Sequence, residues 1–218
     1  MRIHLKIKTT NKIVPFDHQP FLTGTIHKWL GWNNEHGNVS LYSFSWLEGG
    51  KRAESGLRFE KETSFFFSSY KSDLIKKMII GIQDDPSLFN GFIVSEIIIQ
   101  EEPDLSDREQ FLTASPIFIK RRMGDKIDHI RYDDPRASAC LKETLQTRMK
   151  IVGINNDMFN IRFDLEAPHA KTKKITYNGV QNRVNWCPVI IEGDDEVKQF
   201  AWNVGLGNST GIGFGAIK

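Results

Sequence analysis

Gly205-Leu206-Gly207-Asn208-Ser209-Thr210-Gly211-Ile212-Gly213-Phe214-Gly215-Ala216-Ile217-Lys218 is the stretch on which the fold turns, because five of the residues from Gly205 to Gly215 are glycine. Glycine loses more backbone freedom on folding than any other residue. Such density at one place therefore predicts positive φ angles or a close approach of the backbone to a partner. The natural ligand of such a loop is a phosphate chain. Phe214, Ala216 and Ile217 suit a final strand closing on a core, against the alternative of a flexible tail. The loop then runs from a helix into a strand, the reverse of a dinucleotide or P-loop site, where glycines lie between a strand and a helix N-terminus. Gly211 to Gly215 reads G-x-G-x-G with no Gly-Lys-Ser/Thr after it, so no nucleotide cofactor is expected.

Upstream of the loop, Gly193-Asp194-Asp195 caps a helix carrying Val197, Phe200, Ala201 and Val204. Lys173 to Gly179 and Arg183 to Ile191 read as the arms of a hairpin, and Phe159 to Leu165 alternates as a strand. Asp134-Pro135 opens a helix that runs through Leu141, Leu145 and Met149 to Gly153, with Asp134 as N-cap. Phe111 to Lys120 is extended and interrupted by Pro116. The second half thus reads β-α-β-β-α-β.

The first half has the same order. Ile3, Leu5 and Ile7 alternate with Arg2, His4, Lys6 and Lys8, as in a strand of a sheet with one covered face. Pro20 to Leu30 is helical and stops at Gly31, and Trp32 to Asn38 is a polar loop. Leu41 to Trp46 is a strand followed by a Gly49-Gly50 turn, Leu57 to Phe59 and Ser64 to Ser68 give further strand, Ser72 to Gly81 is a helix, and Phe92 to Ile99 is an apolar strand. The expectation is an α+β chain of two tandem ferredoxin-like domains, 1–100 and 111–218, joined by a charged, proline-broken linker at 101–110.

Composition agrees with a folded chain: 39% of the 218 residues are hydrophobic and 26% charged, too apolar for disorder. The net charge of +2 conceals an asymmetry. Residues 1–119 carry 13 basic and 15 acidic side chains, net −2, and residues 120–218 carry 16 and 12, net +4, so a basic partner surface belongs to the second half. Cys140 and Cys187 are isolated, without metal-ligand spacing, and read as reduced buried thiols. No apolar run approaches the roughly 18 residues of a membrane span, and the N-terminus lacks a signal peptide core. A cytoplasmic protein with no metal and no cofactor is expected.

Gly205-Leu206-Gly207 through Gly211-Ile212-Gly213-Phe214-Gly215, at the end of a second ferredoxin-like unit, resembles the C-terminal glycine-rich motif of the CRISPR-associated endoribonucleases that process repeat-containing precursor RNA. The likeness covers the whole chain in element order, but its specific match is confined to this loop and the first helix-loop region. It implies two ferredoxin-like domains and metal-independent cleavage of repeat RNA to a 5′-hydroxyl and a 2′,3′-cyclic phosphate. It also implies a catalytic histidine near the end of the first helix, a monomer or homodimer, and partnership with other proteins of a CRISPR effector complex. The alternatives are a non-catalytic RNA-binding subunit and a generic ferredoxin-like ligand or protein-interaction domain.

Cleavage of RNA by its own 2′-hydroxyl needs a base, an acid for the leaving 5′-oxygen, and positive charge at the phosphorane. Histidine, with an ordinary pKa of about 6.5, serves either proton-transfer role. His36, in the polar loop where substrate reaches it, is preferred over His27, which sits within the helix beside Trp29. Lys51 is a candidate for transition-state charge and Tyr42 for a second acid-base group. For RNA binding the candidates are Gly205, Gly207, Asn208, Ser209, Gly211, Gly213 and Gly215 of the loop, the basic run Lys120, Arg121 and Arg122, and the hairpin residues Lys171, Lys173, Lys174 and Arg183.

Overall fold

The computed structural model describes residues 1–31 and 39–218. In the first half the order is β1 (Arg2–Lys8), β2 (Val14–Pro15), α1 (Gln19–Leu30), β3 (Tyr42–Phe44), β4 (Lys51–Ala53), β5 (Gly56–Arg58), β6 (Glu62–Ser69), α2 (Ser72–Asp84) and β7 (Ile93–Gln100). Four strands form an antiparallel sheet in the order β3-β6-β1-β7, the ferredoxin-like arrangement, while β2, β5 and β4 form a small sheet inserted beside it. Ile3, Leu5 and Ile7 are fully buried against Leu22, Ile26 and Trp29 of α1 and Leu74, Ile75 and Met78 of α2, the helical residues recurring at three- and four-residue spacing. A Cβ at Gly81 would meet the Trp29 carbonyl oxygen at 2.1 Å, so glycine there lets α2 touch α1, and α2 continues past it to Asp84 rather than ending.

The second half runs β8 (Gln110–Phe111), β9 (Lys120–Met123), β10 (Lys126–His129), α3 (Ala137–Ile151), β11 (Asn160–Phe163), β12 (Lys171–Tyr177), β13 (Val180–Trp186), β14 (Val189–Glu192) and α4 (Asp195–Val204). The sheet order β11-β14-β8 is completed by the C-terminus: Leu112 and Lys218 exchange backbone hydrogen bonds of 2.8 Å, and the Ala114 N–H donates to the Ala216 carbonyl. The terminal segment therefore takes the fourth-strand position, and the ferredoxin-like order repeats. Leu141, Leu145 and Met149 of α3 and Val197, Phe200 and Ala201 of α4 cover this sheet.

Three local expectations need correction. The hairpin arms are Lys171–Tyr177 and Val180–Trp186; Pro188, which lacks an N–H, separates the second arm from β14, which belongs to the core sheet. Lys120 to His129 forms a second hairpin, turning at Gly124 with φ 62°. Helix α3 begins at Ala137 with Arg136 at its N-cap; Asp134 caps the turn before it, its carboxylate accepting from the Arg136 N–H and its carbonyl from the Ala137 N–H, both at 2.9 Å.

The second face of the first sheet is also covered at one end. Arg2 is 2% exposed, its guanidinium lying 3.7 Å from the Phe66 ring centroid and 3.4 Å from that of Trp202. It donates to the carbonyls of Trp202 and Ile217 at 2.8 and 2.9 Å. An outward charge on β1 is thus a bolt between the two sheets, and burial pushes its pKa down.

Asp194 does cap α4, accepting from the Val197 N–H at 3.0 Å. Asp194→Ala is expected to lower stability by about 1 kcal/mol in chemical denaturation, with no change in the slope of the transition. Among the described residues no helix is long and apolar enough to cross a membrane.

Candidate functional site

The glycine loop leaves α4 at Gly205 and returns at Gly215, both with positive φ (75° and 74°). Between them the backbone crosses itself and the strand segment after β8. The Leu206 N–H donates to the Gly215 carbonyl at 2.8 Å, the Gly215 N–H to Pro116 at 2.9 Å, and the Asn208 N–H to Phe118 at 2.7 Å. A Cβ on Gly215 would stand 1.9 Å from the Leu206 oxygen, and one on Gly207 2.4 Å from the Phe118 oxygen. All five glycines, Gly205, Gly207, Gly211, Gly213 and Gly215, are buried. The close approach they permit is made by the protein itself, by backbone at Gly205, Gly207 and Gly215, by the Ser40 side chain at Gly211 and by the Phe44 ring at Gly213. Asn208 and Ser209 are the loop's half-buried polar residues.

Loop carbonyls are claimed by side chains from both halves of the molecule. Arg148 of α3 donates to Val204, Gly205 and Gly207 at 3.0, 2.9 and 2.7 Å. From the first half, Tyr42 donates to Gly211 at 3.2 Å, Gln19 to Ile212 at 2.6 Å and Trp46 Nε1 to Gly213 at 2.9 Å. A loop held this way is rigid, because moving it orphans several buried carbonyls at once. Burial lowers the Arg148 pKa to about 10, which leaves it cationic at neutral pH. Arg148 falls on the apolar stripe of Leu141, Leu145 and Met149, and a charge on such a stripe is the sequence signal that marks it.

Of the acid-base candidates, the fold brings His27 and Tyr42 together. Tyr42 Oη lies 3.3 Å from His27 Nε2. The Tyr42 hydroxyl also donates to the Gly211 carbonyl, which ties the histidine-tyrosine contact to the loop. This pair stands where the last turns of α1 meet the glycine loop. His36 lies outside the described residues. Lys51 is on the small sheet, its Nζ paired with Glu60 at 2.6 Å, and among the described residues no contact joins it to the histidine-tyrosine pair.

Lys120, Arg121, Gly207, Asn208 and Ser209 converge on a cavity of about 340 Å³, shared with Val39, Ser40, Thr144, Thr147 and Arg148. Arg122 is turned from it, bonding the Gly124 carbonyl. Lys171, Lys173, Lys174 and Arg183 occupy the β12-β13 hairpin, with Lys174 directly opposite Arg183 and the Lys173 ammonium 4.8 Å from the Trp186 ring centroid. Facing like charges raise the potential of a strand pair and favour an anionic partner. The two hairpins meet where His129 Nδ1 accepts from the Arg183 N–H at 3.2 Å, and burial together with the Arg183 charge holds the His129 pKa down.

Two ferredoxin-like sheets locked through a C-terminal glycine-rich loop place the chain among the tandem ferredoxin-like proteins. Within that class, the family profile described as "CRISPR associated protein Cas6, C-terminal" matches residues 100–218, and the chain belongs to that family. Among curated relatives, the CRISPR-associated endoribonuclease Cas6 1 of Methanocaldococcus jannaschii is 22% identical, the match covering 100% of this chain and 92% of that protein. The CRISPR-associated endoribonuclease Cas6 of Pyrococcus furiosus is 24% identical over 94% of this chain and 83% of its own length. A solved structure described as CRISPR associated protein Cas6 superposes with a TM-score of 0.85 at 21% identity, covering 100% of this chain and 98% of that one. A Cas6-related protein from Pyrococcus furiosus gives 0.86 at 22% identity, covering 100% and 97%.

Proposed function

We propose that this chain is an endoribonuclease that binds CRISPR repeat RNA and cuts it within precursor transcripts, by attack of the substrate's 2′-hydroxyl to leave a 2′,3′-cyclic phosphate and a 5′-hydroxyl. The observation that carries the reading is the His27-Tyr42 pair anchored on the Gly211 carbonyl, because it puts an oriented imidazole beside the loop that locks the two halves. An imidazole placed there suits proton removal from a 2′-hydroxyl, and the reaction then needs a donor for the 5′-oxygen, a role for which His36 stands on sequence alone. Basic side chains from the second half supply phosphate attraction that weakens with salt. The protein acts in the cytoplasm, as a monomer or homodimer, with other proteins of a CRISPR effector complex as partners.

Incubation of a cognate repeat RNA with the protein in EDTA, followed by end-group analysis, tests this. Cyclic phosphate and 5′-hydroxyl ends are expected; a 3′-hydroxyl product or a metal requirement refutes the mechanism, and binding without cutting makes the chain a non-catalytic RNA-binding subunit. Tyr42→Phe keeps the ring against Phe67 but removes the hydroxyl that meets His27 Nε2. A hydrogen bond contributing about 0.5–1.5 kcal/mol predicts a roughly 2- to 10-fold slower single-turnover rate with repeat affinity retained. Loss of affinity in place of rate would show that Tyr42 shapes the loop instead.

A further inference from the structure

The cavity between α3 and the glycine loop holds an unusual charge arrangement. Arg148 is 3% exposed, and its guanidinium bonds only neutral carbonyls: Thr144 through Nε, and Val204, Gly205 and Gly207 through its terminal nitrogens. Among the described residues no carboxylate lies within ion-pair distance of it. The carbonyl bonds take four of its five N–H groups and leave one, and Arg148 lines the cavity. Three cations, Lys120, Arg121 and Arg148, face that space against one carboxylate, Glu143, which is already engaged by Arg121 at 2.7 Å. Lys120 has no carboxylate partner among the described residues, and its backbone N–H is fixed to Asn208 Oδ1 at 2.9 Å, which ties β9 to the loop.

We infer that this cavity binds one phosphate group of a single-stranded segment of the RNA substrate, with Arg148 as the fixed charge beneath it and Lys120 at its mouth. The inference rests on the RNA-binding reading above. A volume of about 340 Å³ lies at the lower end of small-ligand sites, roughly 300–1,000 Å³, and admits one nucleotide rather than a paired stem. The hydroxyls and amide of Ser40, Ser209 and Asn208 suit a sugar-phosphate, whose unpaired neighbours are free to splay.

Removing Arg148 would orphan three loop carbonyls and unfold the loop, so the test adds a charge instead. Thr147 is exposed on α3 at the cavity wall, and Ala139, exposed on the same helix, does not line it. Thr147→Glu and Ala139→Glu make the same change in net charge. Fluorescence anisotropy with a labelled repeat RNA at two salt concentrations is expected to show at least about fivefold weaker binding for Thr147→Glu than for Ala139→Glu. The log-log salt slope should fall by about 0.7, one single-strand phosphate contact. Equal affinities and slopes for the two variants, with tight binding by the wild type, overturn the phosphate site and leave the RNA reading standing. No RNA binding by the wild type overturns that reading and the inference with it. A thermal shift with inorganic phosphate alone separates the remaining source: stabilisation of the wild type lost in Thr147→Glu, without any difference in RNA affinity, identifies a free-anion site and refutes the RNA assignment.

Discussion

His27→Ala is expected to slow single-turnover cleavage of a cognate repeat in EDTA by about 10²- to 10⁴-fold, the usual worth of a positioned general acid or base, while the RNA is still bound. The size of the effect follows from orientation. Tyr42 meets His27 Nε2 at 3.3 Å and donates to the Gly211 carbonyl, so the imidazole is presented beside the loop in one orientation. His27→Gln separates chemistry from packing, since its amide nitrogen can still donate to Tyr42 but cannot take up a proton near neutral pH. Both variants should be equally slow. A glutamine that restores the rate would make His27 a positioning residue for Tyr42 and the loop, and would move the base to His36.

The fold was readable because both units obey simple periodicities. Ile3, Leu5 and Ile7 alternate as a strand must, and Leu141, Leu145 and Met149 recur as a buried helix face must. Where the reading slipped, tertiary contacts overrode local chemistry. Arg2 looks like a solvent-facing charge until the second half places Trp202 against it, and no local pattern in the first eight residues encodes that partner. Asp134-Pro135 has the chemistry of a helix start, yet it caps a single turn, and α3 begins after it at Ala137.

The site was less legible. Histidine and tyrosine were visible as chemical types, but their pairing joins residues fifteen positions apart through a third element, the loop, some 170 residues further on. The glycines announced themselves by density and were read as a bare backbone for a ligand. Their burial shows a different physical need, close packing against the protein itself, which at Gly205 and Gly215 is the crossing of α4's exit with the terminal segment. Gln19 and Trp46, which hold loop carbonyls, gave no motif, because each acts through a single hydrogen-bonding tip, delivered from the start of α1 and from the segment after β3.

That distinction makes Gly215→Ala the sharper test of the loop. At φ 74° an alanine costs about 1–2 kcal/mol by conformation alone, and its Cβ would sit 1.9 Å from the Leu206 oxygen, so the Leu206-Gly215 hydrogen bond must break as well. A loss of about 3–5 kcal/mol is expected, and for a chain of this size a fall in Tm on the order of 10 °C. Gly179→Ala, at the turn of the β12-β13 hairpin with φ 78° and nothing within 4 Å of its Cβ, carries only the conformational part and should lower Tm by a few degrees. If the loop glycines existed to admit an RNA backbone, Gly215→Ala would lose repeat binding at nearly unchanged Tm. If they exist to let the chain close on itself, stability falls first, and repeat binding falls only as the closed loop is lost.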